Sequence, residues 1–213
     1  MPKQTFLNLP PEKQQRLLDA GFEVFSRVPA MDASISDIIK LAAIPRGSFY
    51  QYFEDKFDLH AYLVMQFSQK WNQTWHTLLQ RHQGDFFAAV PPLFKEILDM
   101  MTDKKNYAFW KNTFFQLRNS KEMRKTLHQQ RCSKHNDDRE LIDQHKLRIE
   151  LTKRNYLLLK RQITTMMIQS ISMYFMAEHL KVDDPYHEAI QGFNTLLNWL
   201  QYGIQAEGGN QDA

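Results

Sequence analysis

The chain has 213 residues, 43% hydrophobic, 24% charged and 13% aromatic, an apolar share that supports a buried core and excludes wholesale disorder. Its 7 glycines and 8 prolines fall well below the roughly 12% of average usage, which excludes collagen-like and low-complexity chains and points from turn-rich sheets towards helices. The net charge of +3 is uneven: residues 1–56 are neutral, whereas 104–161 carry 16 basic against 6 acidic residues.

Taken from the N-terminus, Met1 to Pro11 lacks the apolar run of a signal peptide. The most apolar stretch, Ile163 to Leu180, is interrupted by Gln169, Ser170, Ser172 and Glu178, so no membrane span is predicted. The single cysteine, Cys132, excludes an internal disulfide and suits a cytoplasmic protein. An amphipathic helix is predicted from Glu12 to about Arg27, with Leu17, Gly21, Val24, Phe25 and Val28 on one face. After Pro29-Ala30, Ser34 is a helix cap and Asp37 favours the positive end of a short helix over 35–41. Pro45 starts a second short helix, Arg46-Gly47-Ser48-Phe49-Tyr50-Gln51-Tyr52-Phe53. A long helix then opens at Asp55-Lys56 and carries Leu59, Leu63, Phe67, Trp71, Trp75 and Leu79 at helical spacing to about Arg81.

Charge alone would direct nucleic acid to the basic middle of the chain. The motif directs it to the neutral N-terminal segment instead. Two short helices joined by about three residues, the second opening on a small, basic and aromatic run, have the form of a helix-turn-helix. Ile38, Leu41, Ile44, Phe49 and Phe53 pin the crossing. Arg46 offers a fork to a guanine edge, Gly47 allows close backbone approach, and Tyr50 reads or positions. Ser34, Ser36, Ser48, Tyr52 and Lys56 complete the predicted DNA-contacting set, as phosphate donors near helix starts.

With Ala20, Phe25, Ser34-Ile35, Asp37-Ile38, Ala42, Ile44, Gly47-Ser48-Phe49-Tyr50, Tyr52-Phe53, Lys56 and Leu59 at these spacings, the stretch resembles the DNA-binding domain of tetracycline-repressor-like (TetR/AcrR) regulators. Ile39, Ala43 and Pro45 depart from the family's usual Ala, Gly and Ser. The resemblance implies an all-α protein, with a three-helix DNA-binding head over residues 1–56. Residues 57–213 would form a helical effector-binding and dimerisation domain. It further implies a homodimer on a double-stranded palindromic operator, whose last two helices pair across the two-fold, and an effector that releases a repressor through the fourth helix.

Beyond the head, residues 93–184 contain neither glycine nor proline and read as several helices with polar joins. Gly84, Pro91, Pro92, Pro185 and Gly192 mark breaks outside that stretch. A helix over about 153–180 is apolar nearly all round, as either an internal core helix or one shared with a dimer interface. The last helix is predicted to have Pro185 in its first turn, with Asp183-Asp184 before it as the cap. Met166, Ser170, Met173 and Ala177 on the first of these helices, with Ile190, Phe193, Leu197 and Leu200 on the second, are the predicted dimer seam.

Phe67, Trp71, Trp75, Phe94, Met100, Met101, Phe109, Trp110, Phe114, Phe115, Met166, Met167, Met173 and Tyr174 exceed a minimal core and form an adaptable apolar cavity, with Asn112, Gln116 and Gln169 as polar contacts. The effector is expected to be hydrophobic or amphipathic. The basic segment is either solvated surface or a bias towards an anionic effector such as a fatty acid. His128, Cys132 and His135 share a helical face, as solvated residues or three metal ligands lacking a fourth. No metal, cofactor or enzyme motif is recognised. The rival readings are a helical lipid carrier without a DNA role and a regulator without a small-molecule effector.

Overall fold

In the computed structural model, which describes residues 2–119, 137–180 and 183–204 (backbone alone at 117–119 and 178–180), all regular elements are helical. In chain order the α-helices are α1 (Gln4–Leu7), α2 (Pro11–Arg27), α3 (Ile35–Ala42), α4 (Arg46–Tyr52), α5 (Lys56–Arg81), α6 (Phe86–Thr102), α7 (Tyr107–Asn119), α8 (Lys153–Leu180) and α9 (Pro185–Tyr202). Packing groups the described residues into two units that do not follow chain order, 2–74 with 99–119, and 75–98 with 137–180 and 183–204. His128, Cys132 and His135 lie outside the described residues. Among the described residues no helix is long and apolar enough to cross a membrane.

The first unit is built around α2, which starts at Pro11 because a proline lacks only an N–H that has no helical partner there. Its inward face, Leu17, Ala20, Gly21, Val24 and Phe25, is buried. A Cβ on Gly21 would stand 2.8 Å from Leu59 Cδ2, so the missing side chain lets α2 and α5 approach. α3 and α7 pack on α2. The Asn112 amide of α7 donates to the carbonyls of Phe25 (2.9 Å) and Ser26 (3.1 Å), and Gln116 Oε1 accepts the Ala30 N–H at 3.0 Å. Helix α7 therefore satisfies backbone groups at the end of α2 that no helical partner reaches.

In the second unit α8 and α9 pack together, and Phe94 of α6 stacks on Phe193 of α9 with centroids 4.0 Å apart. Asp184 caps α9 by accepting the His187 N–H at 3.0 Å. Buried Asp138 collects His76 Nε2 at 2.7 Å, Tyr156 Oη at 3.1 Å and Lys160 Nζ at 3.1 Å. Burial raises its pKa, but these hydrogen bonds outweigh that effect and hold the carboxyl below its usual value. Burial, followed by the adjoining Asp138 charge, pushes the Tyr156 phenol upward.

Three expectations need correction. Pro91 and Pro92 do not break the chain but lie inside α6. Their ring geometry removes two backbone donors, yet Phe86, Ala89, Val90 and Phe94 bury around them. Gly192 is likewise within α9. Conversely, residues 137–152, free of glycine and proline, hold two short 3-10 turns instead of an α-helix. Side chains supply the turns: Asp143 accepts the His145 N–H, and Gln144 binds Ile149 O and the Leu151 N–H. Gly84, at φ +72°, passes under this segment, its carbonyl accepting the Asp143 N–H at 2.9 Å.

Candidate nucleic-acid interface and aromatic cage

Ser34 Oγ accepts the Ser36 N–H at 3.1 Å and starts α3. Helix α3 stops because Ala43 turns left-handed (φ 50°, ψ 49°), bonding back to Ile39 and Lys40, while the Ile44 N–H reaches the Ile39 carbonyl at 3.1 Å. This is a Schellman closure with alanine where glycine is preferred. Pro45 is the extended residue before α4, one position earlier than expected for a first helical residue.

Phe49 is fully buried and fastens α4 to the core, leaving Arg46, Gly47 and Tyr50 exposed. Arg46 Nη1 lies 3.3 Å from Ser36 Oγ, and its guanidinium carbon is 6.0 Å from the Tyr50 ring centre. The beginnings of α3 and α4 thus present Ser34, Ser36, Arg46, Gly47 and Tyr50 together. A Cβ on Gly47 would meet nothing within 4 Å, so its backbone borders open space. Ser48 is half-buried. Two expected phosphate donors are placed differently. Half-buried Tyr52 faces Phe6, with centroids 6.2 Å apart. Lys56 Nζ donates to the carbonyls of Met31 and Ala33, the latter at 2.8 Å, and so holds the loop that enters α3.

The expected effector residues divide between the two units. In the first, Trp110 is centred among Phe67 (5.1 Å), Trp71 (5.8 Å) and Phe114 (6.3 Å), with Met101 also buried. Phe109 joins this cluster to Phe22 at 4.8 Å and His60 at 5.2 Å. Three buried polar atoms of this unit lack a hydrogen-bond partner among the described residues: His60 Nδ1 and Trp110 Nε1, on rings of this cluster, and Gln116 Nε2. Thr113 Oγ1 donates to the Phe109 carbonyl, so it accepts from His60 Nε2 at 2.9 Å, leaving Nδ1 as an unpaired acceptor. Burial lowers the His60 pKa to about 3. Sequence reasoning singled out Phe109 but missed His60 and Thr113. Only the helical register of His60 with Phe67 could have pointed to it.

In the second unit Trp75 meets Phe86 at 5.3 Å, and Phe94 and Met166 are buried, whereas Gln169 and Met173 are exposed. Of the expected dimer residues, Met166, Ser170, Ala177, Phe193 and Leu197 are buried within the chain itself. Ile190 is half-buried, and only Met173 (55%) and Leu200 (39%) are exposed. The exposed large apolar residues of α8 and α9 are Leu157, Leu158, Ile168, Met173, Trp199, Leu200 and Tyr202.

Residues 17–63 match the family described as bacterial regulatory proteins, tetR family. Residues 85–204 match the tetracyclin repressor-like C-terminal domain. The uncharacterized HTH-type transcriptional regulator YvdT of Bacillus subtilis (strain 168) is 45% identical over 56 residues, 26% of each chain; the match thus spans about a quarter of that relative. Three solved structures share the fold. The fatty acid degradation regulator FadR from Bacillus halodurans is 20% identical (TM-score 0.60, 94% of this chain and 100% of that one). FadR from Bacillus subtilis in complex with stearoyl-CoA is 19% identical (0.59, 90% and 99%). Reduced NemR from E. coli is 16% identical (0.56, 86% and 96%). With both its halves matched, the chain belongs to the tetR family of bacterial regulatory proteins.

Proposed function

We propose that the protein is a homodimeric, cytoplasmic transcriptional repressor that leaves a palindromic operator when a hydrophobic or amphipathic molecule binds. Residues 1–56 are its DNA-binding domain and 57–213 its effector-binding and dimerisation domain. The observation that carries this reading is the exposed start of α4, where Arg46, Gly47 and Tyr50 face outward beside Ser36 while Phe49 anchors the helix. Such a helix enters the major groove by its N-terminal residues, and two of them read half-sites about 34–36 Å apart. Arg46 is the principal base reader, with Ser34, Ser36 and Ser48 beside the phosphates.

The effector reading is supported by the aromatic cluster and by His60 Nδ1 and Trp110 Nε1, buried there without a hydrogen-bond partner among the described residues, since buried polar groups are ordinarily hydrogen-bonded. FadR of Bacillus subtilis, of the same fold, was solved with stearoyl-CoA, which makes long acyl compounds the first to try. Dimerisation is assigned to the exposed apolar residues of α8 and α9, with Met173 and Leu200 retained from the expected seam.

The test is fluorescence anisotropy on the DNA upstream of the protein's own gene against a scrambled duplex. Arg46→Ala should remove about 1–3 kcal/mol of binding and relax the preference at one base pair. Equal affinity of wild type and variant for both duplexes, together with no enrichment from random-sequence DNA, would refute the proposal.

A further inference from the structure

Helix α4 is seven residues long, too short to be stable by itself, and an α-helix leaves its last carbonyls without internal partners. Here the Phe53 N–H takes the Phe49 carbonyl at 2.9 Å. That leaves the carbonyls of Tyr50, Gln51 and Tyr52. All three are met by the N-terminal segment, forty-odd residues away in sequence. Lys3 Nζ donates to Tyr50 O at 2.7 Å, Thr5 Oγ1 donates to Gln51 O, and the Lys3 N–H donates to Tyr52 O at 2.8 Å. The Lys3 ammonium also stands at the negative end of the helix dipole.

The segment is itself held firmly. Phe6 is fully buried, with its ring centre 4.9 Å from Phe53 and 5.7 Å from Tyr62. Gln14 of α2 donates to the carbonyls of Leu7 (3.2 Å) and Leu9 (2.8 Å). Phe6 and Gln14 thus secure an arm whose exposed polar groups, on Lys3 and Thr5, close the far end of the helix that carries Arg46 and Tyr50.

We infer that residues 3–7 are a cap supplied to the recognition helix from outside it, and that Lys3 and Thr5 are positioning residues for sequence reading. The inference rests on the DNA-reading proposal above. Base-edge hydrogen bonds tolerate little angular error, so a helix that frays at its C-terminal end discriminates poorly while still attracting phosphate. The cap therefore governs preference between sequences more than overall attraction to DNA.

Thr5→Val tests this with an exposed, near-isosteric change that removes one donor and no charge, and leaves Phe6 in place. Thr5→Ser is the rescue, and Lys3→Met tests the charged member. Hydrogen exchange of the free protein is read at the α4 amides and at Phe53. Anisotropy is read on a duplex that the wild type enriches from random-sequence DNA and on a scrambled duplex, across a salt series. The inference expects Thr5→Val to speed exchange roughly 3- to 10-fold, the range set by one net hydrogen bond. Its preference between duplexes should fall by a similar factor at an unchanged salt slope, and Thr5→Ser should restore both. Unchanged exchange, or unchanged preference in a protein whose wild type discriminates, overturns the inference alone. A salt slope lowered by about one in Lys3→Met, with preference intact, would make Lys3 a phosphate contact and also overturn it. A wild type that enriches no sequence refutes the DNA-reading proposal, and this inference falls with it.

Discussion

Ala43→Gly should stabilise the protein. Ala43 closes α3 at φ 50° and ψ 49°, a conformation in which the Cβ of an L-residue crowds the following carbonyl at a cost of about 1–2 kcal/mol. Glycine removes that strain and keeps the backbone bonds to Ile39 and Lys40. It also adds about 0.4–1 kcal/mol of chain entropy to the unfolded state. The difference leaves about 0.5–1 kcal/mol in favour of glycine. With a urea slope of about 3 kcal/mol/M, the unfolding midpoint should rise by about 0.2–0.3 M at the same slope. Protein concentration must be held equal, because dimerisation would itself shift the midpoint. Ala43→Val should move the midpoint the other way and further, since a β-branched residue is a true outlier in this region. Operator preference should survive Ala43→Gly, because the turn geometry is unchanged. A glycine variant no more stable than wild type, or a valine variant as stable, would refute the assignment of strain to this turn.

Gly84→Ala should be far more damaging. The added Cβ would lie 2.7 Å from Asp143 N and 3.0 Å from Leu141 O, both backbone atoms, at a φ of +72°. About 2 kcal/mol or more of stability should be lost, measurable by urea unfolding; a loss under about 0.5 kcal/mol would contradict this packing. Met173→Glu should give a folded monomer by sedimentation with undiminished helical circular dichroism, because Met173 is exposed in the chain. Phe193→Glu should instead lose the fold, since that ring is fully buried against Phe94. His60→Gln should flatten the acid limb of the stability curve. Burial lowers the folded pKa of His60 to about 3 from the ordinary imidazole value of 6.5, so the unfolded chain takes up the proton first. Its contribution is complete above about pH 6.5 and is lost as pH falls towards 3, by about 1.4 kcal/mol per unit. Identical slopes for wild type and variant between pH 6 and 4 would contradict a neutral buried imidazole.

The head was legible because its signals are local. Ser34 as a cap, the apolar steps along α2 and the polar-aromatic run of α4 lie within a turn or two of the structure they specify. What escaped reading depends on distant partners. A four-residue α1 has too few positions for a period, and nothing local couples Thr5 to Gln51. Lys56 occupies the expected place, but its sequence position cannot show that the ammonium turns back to Met31 and Ala33. Helix α8 displayed apolar residues on both sides, and pattern alone could not tell which side the chain covers itself. Phe193 and Met173 therefore looked alike and have opposite surroundings. Pro91 and Pro92 were read by local rule, whereas burial of the residues around them decided the outcome.

The two side-chain amides of α7 hold the end of α2 directly. Gln116 Nε2 is buried without a hydrogen-bond partner among the described residues and its Oε1 accepts the Ala30 N–H, while Asn112 donates to the carbonyls of Phe25 and Ser26 near the end of α2. Under the effector proposal, a ligand that accepted a hydrogen bond from Gln116 Nε2 would turn the whole amide, because its two ends move as one rigid plane. Turning it withdraws the acceptor from Ala30 and strands a buried N–H, at about 1–3 kcal/mol. That is within the range of a typical allosteric coupling. It would act at the exit of α2.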